Sequence, residues 1–266
     1  MPDALRTMTV GELLDRTFFL YRKHFVLFAG LVGIPHLVLL AIQLLGIVIR
    51  SGAPFSFDVL SVVTLLVQIA VYLPIVAVSQ AATVIAVSRI HLGRETTISD
   101  AFNSIKGRIV TVALIMIVVG MGAGLGLILC IVPGVLLALM WSLSIPAAVV
   151  EQLGVIESIS RSYALSKGSW GRLFVIYFLF FVLTYIFLLL IQVPILVGAG
   201  LFSGRNPGSL PVWAQVAAQV GQFLTQCVVA PLLTIALSLV YYDQRVRNEA
   251  FDLEHMMSQL DGQTPA

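Results

Sequence analysis

Five long windows without Asp, Glu, Lys or Arg divide this 266-residue sequence. An α-helix needs about 20 mostly apolar residues to cross the hydrocarbon core of a bilayer, so every window is long enough for at least one crossing. The third window is long enough for two. The windows cover residues 25–49, 59–88, 109–150, 173–204 and 206–242.

Composition supports a membrane environment. Hydrophobic residues make up 59% of the chain and charged residues 11%, whereas soluble domains average about 45–50% and about 25%. Such a chain lacks the polar side chains needed to cover a surface in water, so lipid must act as solvent for much of it. The net charge of +2 gives no reason to expect a nucleic-acid partner.

The third window contains Pro133 and Gly134, a pair that favours a turn. We therefore predict a helical hairpin there, turning at these two residues, and six crossings in all. Six crossings place every Lys and Arg except Arg50 and Arg205 on one side of the membrane, and a single pass through the third window weakens that separation. By the positive-inside rule that side is the cytoplasm, and both termini lie there. The predicted crossings are residues 25–49, 59–88, 109–132, 135–150, 173–201 and 212–242.

The segments between the crossings are amphipathic. Thr9 and Glu12 have the spacing of a capping box that opens such a helix, and a weaker stripe of Ile156, Ile159 and Tyr163 follows later. We expect these segments to lie in the headgroup region on the cytoplasmic side. Three of them precede pairs of crossings, which suggests three repeats of an interfacial helix plus a hairpin. The segments are residues 9–24, 97–107, 154–168 and 243–260.

The fold class predicted is thus an all-α, polytopic helical bundle forming one integral membrane domain. Basic side chains on its cytoplasmic face favour anionic lipid headgroups. The residues that we expect to form this headgroup face are Arg16, Arg22, Lys23, Arg161, Lys167 and Arg172.

Four glutamines of the last crossing share one helical face, because they recur at i, i+4, i+7 and i+11. An amide in lipid needs partners, so this face points inward. It either bonds to neighbouring helices, which we favour, or lines a polar groove for a headgroup or solute. The four residues of this candidate polar seam are Gln215, Gln219, Gln222 and Gln226, and their candidate partners are Gln43, Gln68, Gln80 and Gln192.

His36 is the only imidazole at membrane depth. It either handles a proton or metal, or bonds to a backbone carbonyl freed by the neighbouring Pro35, and we favour the second. Pro74, Pro194 and Pro231 interrupt three other crossings, and we interpret these prolines as packing adjustments.

Glycines in the third crossing predict close helix packing. Two interleaved G-x-x-x-G pairs run through it, and glycine allows backbones to approach. The pairs are formed by Gly120, Gly122, Gly124 and Gly126.

We find no catalytic signature: no G-x-S-x-G, no H-E-x-x-H, no Walker A loop and no Cys/His ligand spacing. We therefore predict no catalytic, cofactor-binding or metal site, and a protein that is not an enzyme. Asp252, Glu254 and His255 near the C-terminus are explained by an amphipathic tail, although they leave an interfacial enzyme as a third and weakest interpretation.

Four stretches of sequence nevertheless carry a family resemblance: LDRTFFLYRKHF (14–25), VPGV (132–135) with WSLSIP (141–146), SRSYALSKG (160–168) and YYDQRVRNEAFDL (241–253). Together they resemble the glycerophosphoryl diester phosphodiesterase membrane-domain family. The resemblance implies a bacterial inner-membrane protein. Larger members join this membrane module to a catalytic barrel, for which no room follows the last crossing, so we carry over no catalytic residue.

Two functions lead after these observations. The first is a non-catalytic module that organises lipid or binds a membrane or cytoplasmic protein partner. The second is a transporter or exporter of a lipid-like or small neutral substrate. A cavity lined by the glutamine seam favours transport or lipid binding, and glutamines bonded into a closed bundle favour a scaffold.

Overall fold

The computed structural model describes the backbone of residues 8–50, 59–202 and 210–261, and the side chains of residues 8–48, 68–200 and 210–248. These parts consist of helices joined by short turns and loops, without a strand. The helices are α1 (Val10–Lys23), α2 (Phe25–Arg50), α3 (Val59–His91), α4 (Ile98–Ser104), α5 (Ile109–Leu129), α6 (Ile131–Met140), α7 (Ser144–Val150), α8 (Val155–Ser166), α9 (Trp170–Phe202) and α10 (Val212–Asp261).

Within this described part, six segments are long and apolar enough to cross a membrane. Helices α6 and α7 together form the fourth segment, and the others each lie in one helix. The all-α polytopic bundle predicted from the charge-free windows is therefore confirmed. The segments are Phe25–Val48, Gln68–His91, Ile109–Leu129, Ile131–Val150, Trp170–Gly200 and Val212–Asn248.

Helix α10 lies at the centre of the bundle. It packs against α1, α2, α3 and α9, and α3 packs in turn against α2, α5 and α7. Small side chains of α3, including Ala77, Ala81 and Ala82, are fully buried and allow this close packing. By contrast α5 and α9 expose large apolar side chains such as Leu129 and Leu190, as expected for helices that face lipid.

The hairpin turn differs from its predicted position. Helix α5 ends at Leu129 and α6 begins at Ile131, so the turn lies at Cys130, which has extended backbone angles. Pro133 and Gly134 lie in the first turn of α6 instead. Proline is tolerated there because the first N–H groups of a helix have no partner within the helix.

Gly134 has a packing role. A Cβ atom at Gly134 would lie 2.4 Å from the backbone nitrogen of Leu127, and one at Gly126 would lie 2.8 Å from the Cα of Gly134. The two arms of the hairpin thus touch backbone to backbone. Of the four glycines predicted to mediate packing, Gly122 and Gly126 face neighbours, whereas Gly120 and Gly124 face open space.

Two amphipathic helices begin with the same cap. Thr9 and Glu12 form the predicted capping box at α1, and Thr97 and Asp100 form a second one at α4. The segment predicted at 243–260 is a continuation of α10, with described side chains only up to residue 248. The element order, a short helix followed by two long segments, occurs three times.

Helix α8 buries a polar face that the sequence analysis did not identify. Ile156 is 78% exposed, Tyr163 is also exposed, and the fully buried face carries Ser158, Ser162 and Ser166. The Ser162 hydroxyl donates to the Met140 carbonyl oxygen at 2.8 Å and accepts from the Leu143 N–H at 3.0 Å. Helix α8 thus satisfies backbone groups at the break between α6 and α7 with its serines, and Ile156 and Tyr163 of the predicted apolar stripe lie on the surface of the bundle.

Candidate functional site: a polar cavity inside the bundle

Four helices enclose a cavity of about 210 Å³ between α2, α3, α9 and α10. His36 lies 11 residues after the start of α2, which is about 17 Å along its axis, so the cavity lies well inside the crossing. No Asp, Glu, Lys or Arg lines it. The lining residues are Val32, His36, Tyr72, Val76, Ser79, Gln80, Thr184, Thr225, Gln226, Val229, Ala230, Leu233 and Thr234.

His36 lines this cavity, and one of its two ring nitrogens has no partner among the described residues. Its Nδ1 lies 2.8 Å from the carbonyl oxygen of Val32. A carbonyl can only accept, so Nδ1 carries the proton and Nε2 of the neutral ring is an acceptor. The Ser79 hydroxyl oxygen lies 3.4 Å from Nδ1 as a second, weaker partner. The imidazole of His36 thus bonds to a backbone carbonyl, as the favoured interpretation expected. The carbonyl is that of Val32, however, whereas the one that Pro35 frees is that of Leu31.

The serine and threonine hydroxyl groups that line the cavity are bonded within their own helices. Ser79 donates to the Ile75 carbonyl at 2.9 Å, Thr225 to Gly221 at 3.0 Å, and the threonines at 184 and 234 also donate to carbonyls four residues earlier. Such bonds hold the hydroxyl protons against the helix backbone. These groups therefore offer mainly acceptor lone pairs to the cavity.

The amides of Gln80 and Gln226 make no hydrogen bond with any described residue, and both line the cavity. A carboxamide has two donor hydrogens and an acceptor oxygen. In hydrocarbon such a group costs several kcal/mol when unpaired. The cavity is therefore a place where a polar guest, water or ligand, gains hydrogen bonds.

The glutamine seam is only partly what the spacing predicts. Gln226 reaches the cavity and Gln80 meets it there, whereas Gln215 donates to the Leu210 carbonyl at 2.7 Å near the start of α10. Gln219 and Gln222 are half-buried on the same face between these two positions, without a hydrogen bond to a described residue. The seam thus follows α10 from its first turn down to the cavity.

The cavity reaches the surface of the bundle on one side. Tyr72 of α3 is 44% exposed, and Thr184 of α9 is also exposed. Both side chains line the cavity, so its mouth lies where these two residues meet the surroundings of the bundle. In a membrane this mouth faces lipid.

Prolines lie beside the cavity in three of its four helices. Pro35 precedes His36, Pro74 lies between Tyr72 and Val76, and Pro231 follows Ala230. Each proline leaves the carbonyl four residues earlier without its usual helical partner. The distribution of prolines thus coincides with the cavity, which the sequence alone did not indicate.

Two of the predicted headgroup residues are occupied in ion pairs. Arg172 pairs with Asp243, whose carboxylate is 0% exposed. Arg161 donates from Nε to both carboxylate oxygens of Glu151, at 3.0 and 3.1 Å, and Tyr241 donates to the same Glu151 at 2.5 Å. These two side chains are therefore structural groups of the bundle.

Asp243 joins distant parts of the chain. It accepts the backbone N–H of Met8 at 2.6 Å and pairs with Arg247 at 2.9 Å, in addition to Arg172. Arg247 also donates to the Met8 carbonyl at 2.8 Å. Sequence analysis missed this cluster. Its only signal was the i, i+4 spacing of Asp243 and Arg247 at the end of a crossing.

The remaining predicted headgroup residues are exposed, and the structure does not bring them together with the cavity. They are Arg16, Arg22, Lys23 and Lys167. The side chains of Asp252, Glu254 and His255 lie outside the described residues. Among described residues no group of three or more His, Cys, Asp or Glu side chains is placed to hold a metal ion.

Comparisons with protein-family models, with curated proteins and with solved structures found no match to this chain. The fold and the cavity therefore carry the functional argument.

Proposed function

We propose that this protein is a non-catalytic membrane module that binds a lipid-like, uncharged molecule inside its helix bundle. The observation that carries the proposal is the pair of unbonded amides, Gln80 and Gln226, in a cavity without a charged side chain. Leaving two amides unpaired within a membrane is costly. A guest that pairs with them removes that cost, and therefore binds.

The size and opening of the cavity support a lipid-like ligand. Its volume of about 210 Å³ is below the roughly 300–1,000 Å³ of sites that enclose a drug-sized molecule. It accommodates a small polar group, with the apolar remainder outside. The mouth at Tyr72 and Thr184 gives that remainder access to the lipid phase.

The proposed location is the inner membrane of a bacterium, with both termini on the cytoplasmic side. The resemblance to the glycerophosphoryl diester phosphodiesterase membrane-domain family supports the first part of this proposal, and the distribution of Lys and Arg supports the second. The exposed Arg16, Arg22, Lys23 and Lys167 are suited to anionic headgroups at that surface.

Transport of the bound molecule is the second candidate function. Two observations favour it: the prolines beside the cavity in α2, α3 and α10, and the glutamine face that leads from the start of α10 to Gln226. Interrupted helices with polar faces are common at transporter binding sites. Flux of a bound lipid between leaflets of proteoliposomes separates a transporter from a static binding module.

Native mass spectrometry of the full chain, purified in mild detergent, tests the proposal. We expect a co-purified lipid that is retained in Gln219→Leu and lost in the double variant Gln80→Leu/Gln226→Leu. Gln219 is the matched control because it lies on the same face of α10 outside the cavity lining. Ala230→Phe, which fills the cavity without changing an amide, is also expected to remove the lipid.

Unchanged lipid binding in both the double variant and Ala230→Phe would contradict the proposal. Thermal unfolding of each variant shows whether the bundle is intact. A lipid lost from folded variants supports a binding site, and a lipid kept by both places binding elsewhere on the protein.

A further inference from the structure

The geometry of the cavity points to the chemical class of the ligand: we propose an uncharged lipid with a free hydroxyl group, of the diacylglycerol type, whose hydroxyl donates to Nε2 of His36. This inference rests on the proposed function and specifies its ligand. It follows from the direction of the hydrogen bonds around the cavity, from its charge and from its size.

The direction of hydrogen bonding at His36 selects a donor. The Val32 carbonyl binds the protonated Nδ1, so Nε2 has a lone pair and no hydrogen. Nε2 has no partner among the described residues. A hydroxyl group is a donor without a charge, so it satisfies this nitrogen directly.

The other polar groups of the cavity match further parts of the same ligand. The hydroxyl protons of Ser79 and Thr225 are held by carbonyls of their own helices, so the amides of Gln80 and Gln226 and the phenol at the mouth, Tyr72, provide the donors of the lining that no described residue binds. Ester carbonyls, which a diacylglycerol has beside its hydroxyl, accept from amide N–H groups. The donor hydroxyl of the lipid therefore matches Nε2 of His36, and its neighbouring ester acceptors match the donor N–H groups of the two amides.

The absence of charge in the lining disfavours phosphate. Arg, Lys, Asp and Glu do not occur among the lining residues. Moving a phosphate from water into such surroundings removes its hydration without supplying a cation. The same lipid with a phosphate in place of the hydroxyl is therefore the poorer ligand.

Three short-chain probes with the same acyl chains test the inference on the full-length protein in lipid nanodiscs. They are a diacylglycerol, its methyl ether and the corresponding phosphatidic acid. We expect the diacylglycerol to bind about tenfold more tightly than the ether, because the ether leaves a buried acceptor unpaired. Phosphatidic acid is expected to bind more weakly than the diacylglycerol as well.

A variant pair assigns the effect to the imidazole. His36→Phe is expected to reduce the difference between the diacylglycerol and its ether to less than twofold, because Nε2 is gone. His24→Phe is the matched control, since His24 lies at the junction of α1 and α2 outside the cavity lining, and it is expected to keep the tenfold difference. Should His36→Phe fail to fold, the comparison of the probes on the unaltered protein still decides the question.

The outcomes separate this inference from the proposed function. Equal binding of the diacylglycerol and its ether, or tighter binding of phosphatidic acid, overturns the hydroxyl-lipid assignment and leaves lipid binding in place. Failure of all three probes to bind, together with no co-purified lipid, overturns both.

Discussion

Among single residues, Asp243 occupies the most demanding position. Its carboxylate is completely buried and is held by Arg172, Arg247 and the N–H of Met8. Arg172 is itself only 14% exposed, and its Nε and Nη2 atoms have no hydrogen-bond partner among the described residues. A buried charge is tolerated only when an opposite charge accompanies it, so each member of the pair depends on the other.

Asp243→Asn tests this dependence. The substitution keeps the shape of the side chain but leaves Arg172 as a buried charge without its counter-ion, and we expect a loss of about 3 kcal/mol in the free energy of unfolding. Thermal unfolding in detergent measures it as a lower midpoint. Asp15→Asn, at an exposed position of α1, is the matched control and is expected to change stability little. Equal midpoints for the two variants would show that the Asp243 pair adds nothing to stability.

A second residue-scale effect concerns Asp100, the acidic partner in the cap of α4. Hydrogen bonds from the hydroxyl of Thr97, at 2.7 Å, and from its backbone N–H, at 3.1 Å, stabilise the carboxylate. They lower the pKa of Asp100 below its ordinary value of 3.8. A lowered pKa in the folded state means that protonation opposes folding.

The sign of the pH effect follows. The contribution of Asp100 is complete above pH 3.8 and is lost as the pH falls through the lower pKa of the folded state. We therefore expect the unaltered protein to have a higher unfolding midpoint than Asp100→Asn at neutral pH. This difference between the two midpoints is expected to disappear under strongly acidic conditions. Glu95→Gln, which alters an exposed acid of the loop that precedes α4, should show no such pH-dependent gap. A gap for Asp100→Asn that is constant with pH would refute the effect of the cap.

Among the elements, the α5–α6 hairpin has the tightest contact. Gly126 and Gly134 meet at backbone distance, so no side chain fits between the arms. The sequence predicted a hairpin because a charge-free window was too long for one crossing. The predicted position of the turn was wrong because a Pro-Gly pair is compatible with two structures. It often ends a helix, and its proline is also tolerated in the first turn of a helix.

Gly126→Ala is expected to destabilise the hairpin by about 1–3 kcal/mol, since the added methyl group displaces the backbone of Gly134. Gly124→Ala, two residues earlier on a face with open space around it, provides the control. It is expected to leave stability unchanged or to raise it, because alanine favours helices over glycine. The unfolding midpoints of the two variants and of the unaltered protein test this prediction. The same decrease in both variants would argue against the backbone contact.

On the scale of the whole molecule, orientation in the membrane is the main open prediction. In a cysteine-free background, made by Cys130→Ser and Cys227→Ala, Leu210→Cys lies between α9 and α10 and Glu95→Cys lies between α3 and α4. We expect a membrane-impermeant maleimide to label Leu210→Cys in intact spheroplasts, and Glu95→Cys only after permeabilisation. The reverse pattern would place the termini outside the cytoplasm.

The sequence predicts the bundle better than it predicts the site. Crossings follow from local hydrophobicity, which each segment carries by itself. The cavity depends on which side chains of four helices meet. The spacing of Gln215 to Gln226 predicts that these residues share one face of a helix, but it does not predict which residues of the other helices pack against that face. Arg172 and Asp243 are 71 residues apart, and no local pattern links them. The buried serine face of α8 was missed because serines on a helix ordinarily indicate exposure.

The Asp243 cluster also has a consequence for biosynthesis. A ribosome delivers Met8 and Arg172 long before Asp243, which follows them by 235 and 71 residues. Until α10 is made, Arg172 at the start of α9 lacks its counter-ion, Asp243. The N–H of Met8, just before α1, lacks the same carboxylate as its hydrogen-bond acceptor. Synthesis of the end of α10 therefore supplies the partner of both groups, and a chain truncated before Asp243 leaves Arg172 without its counter-ion.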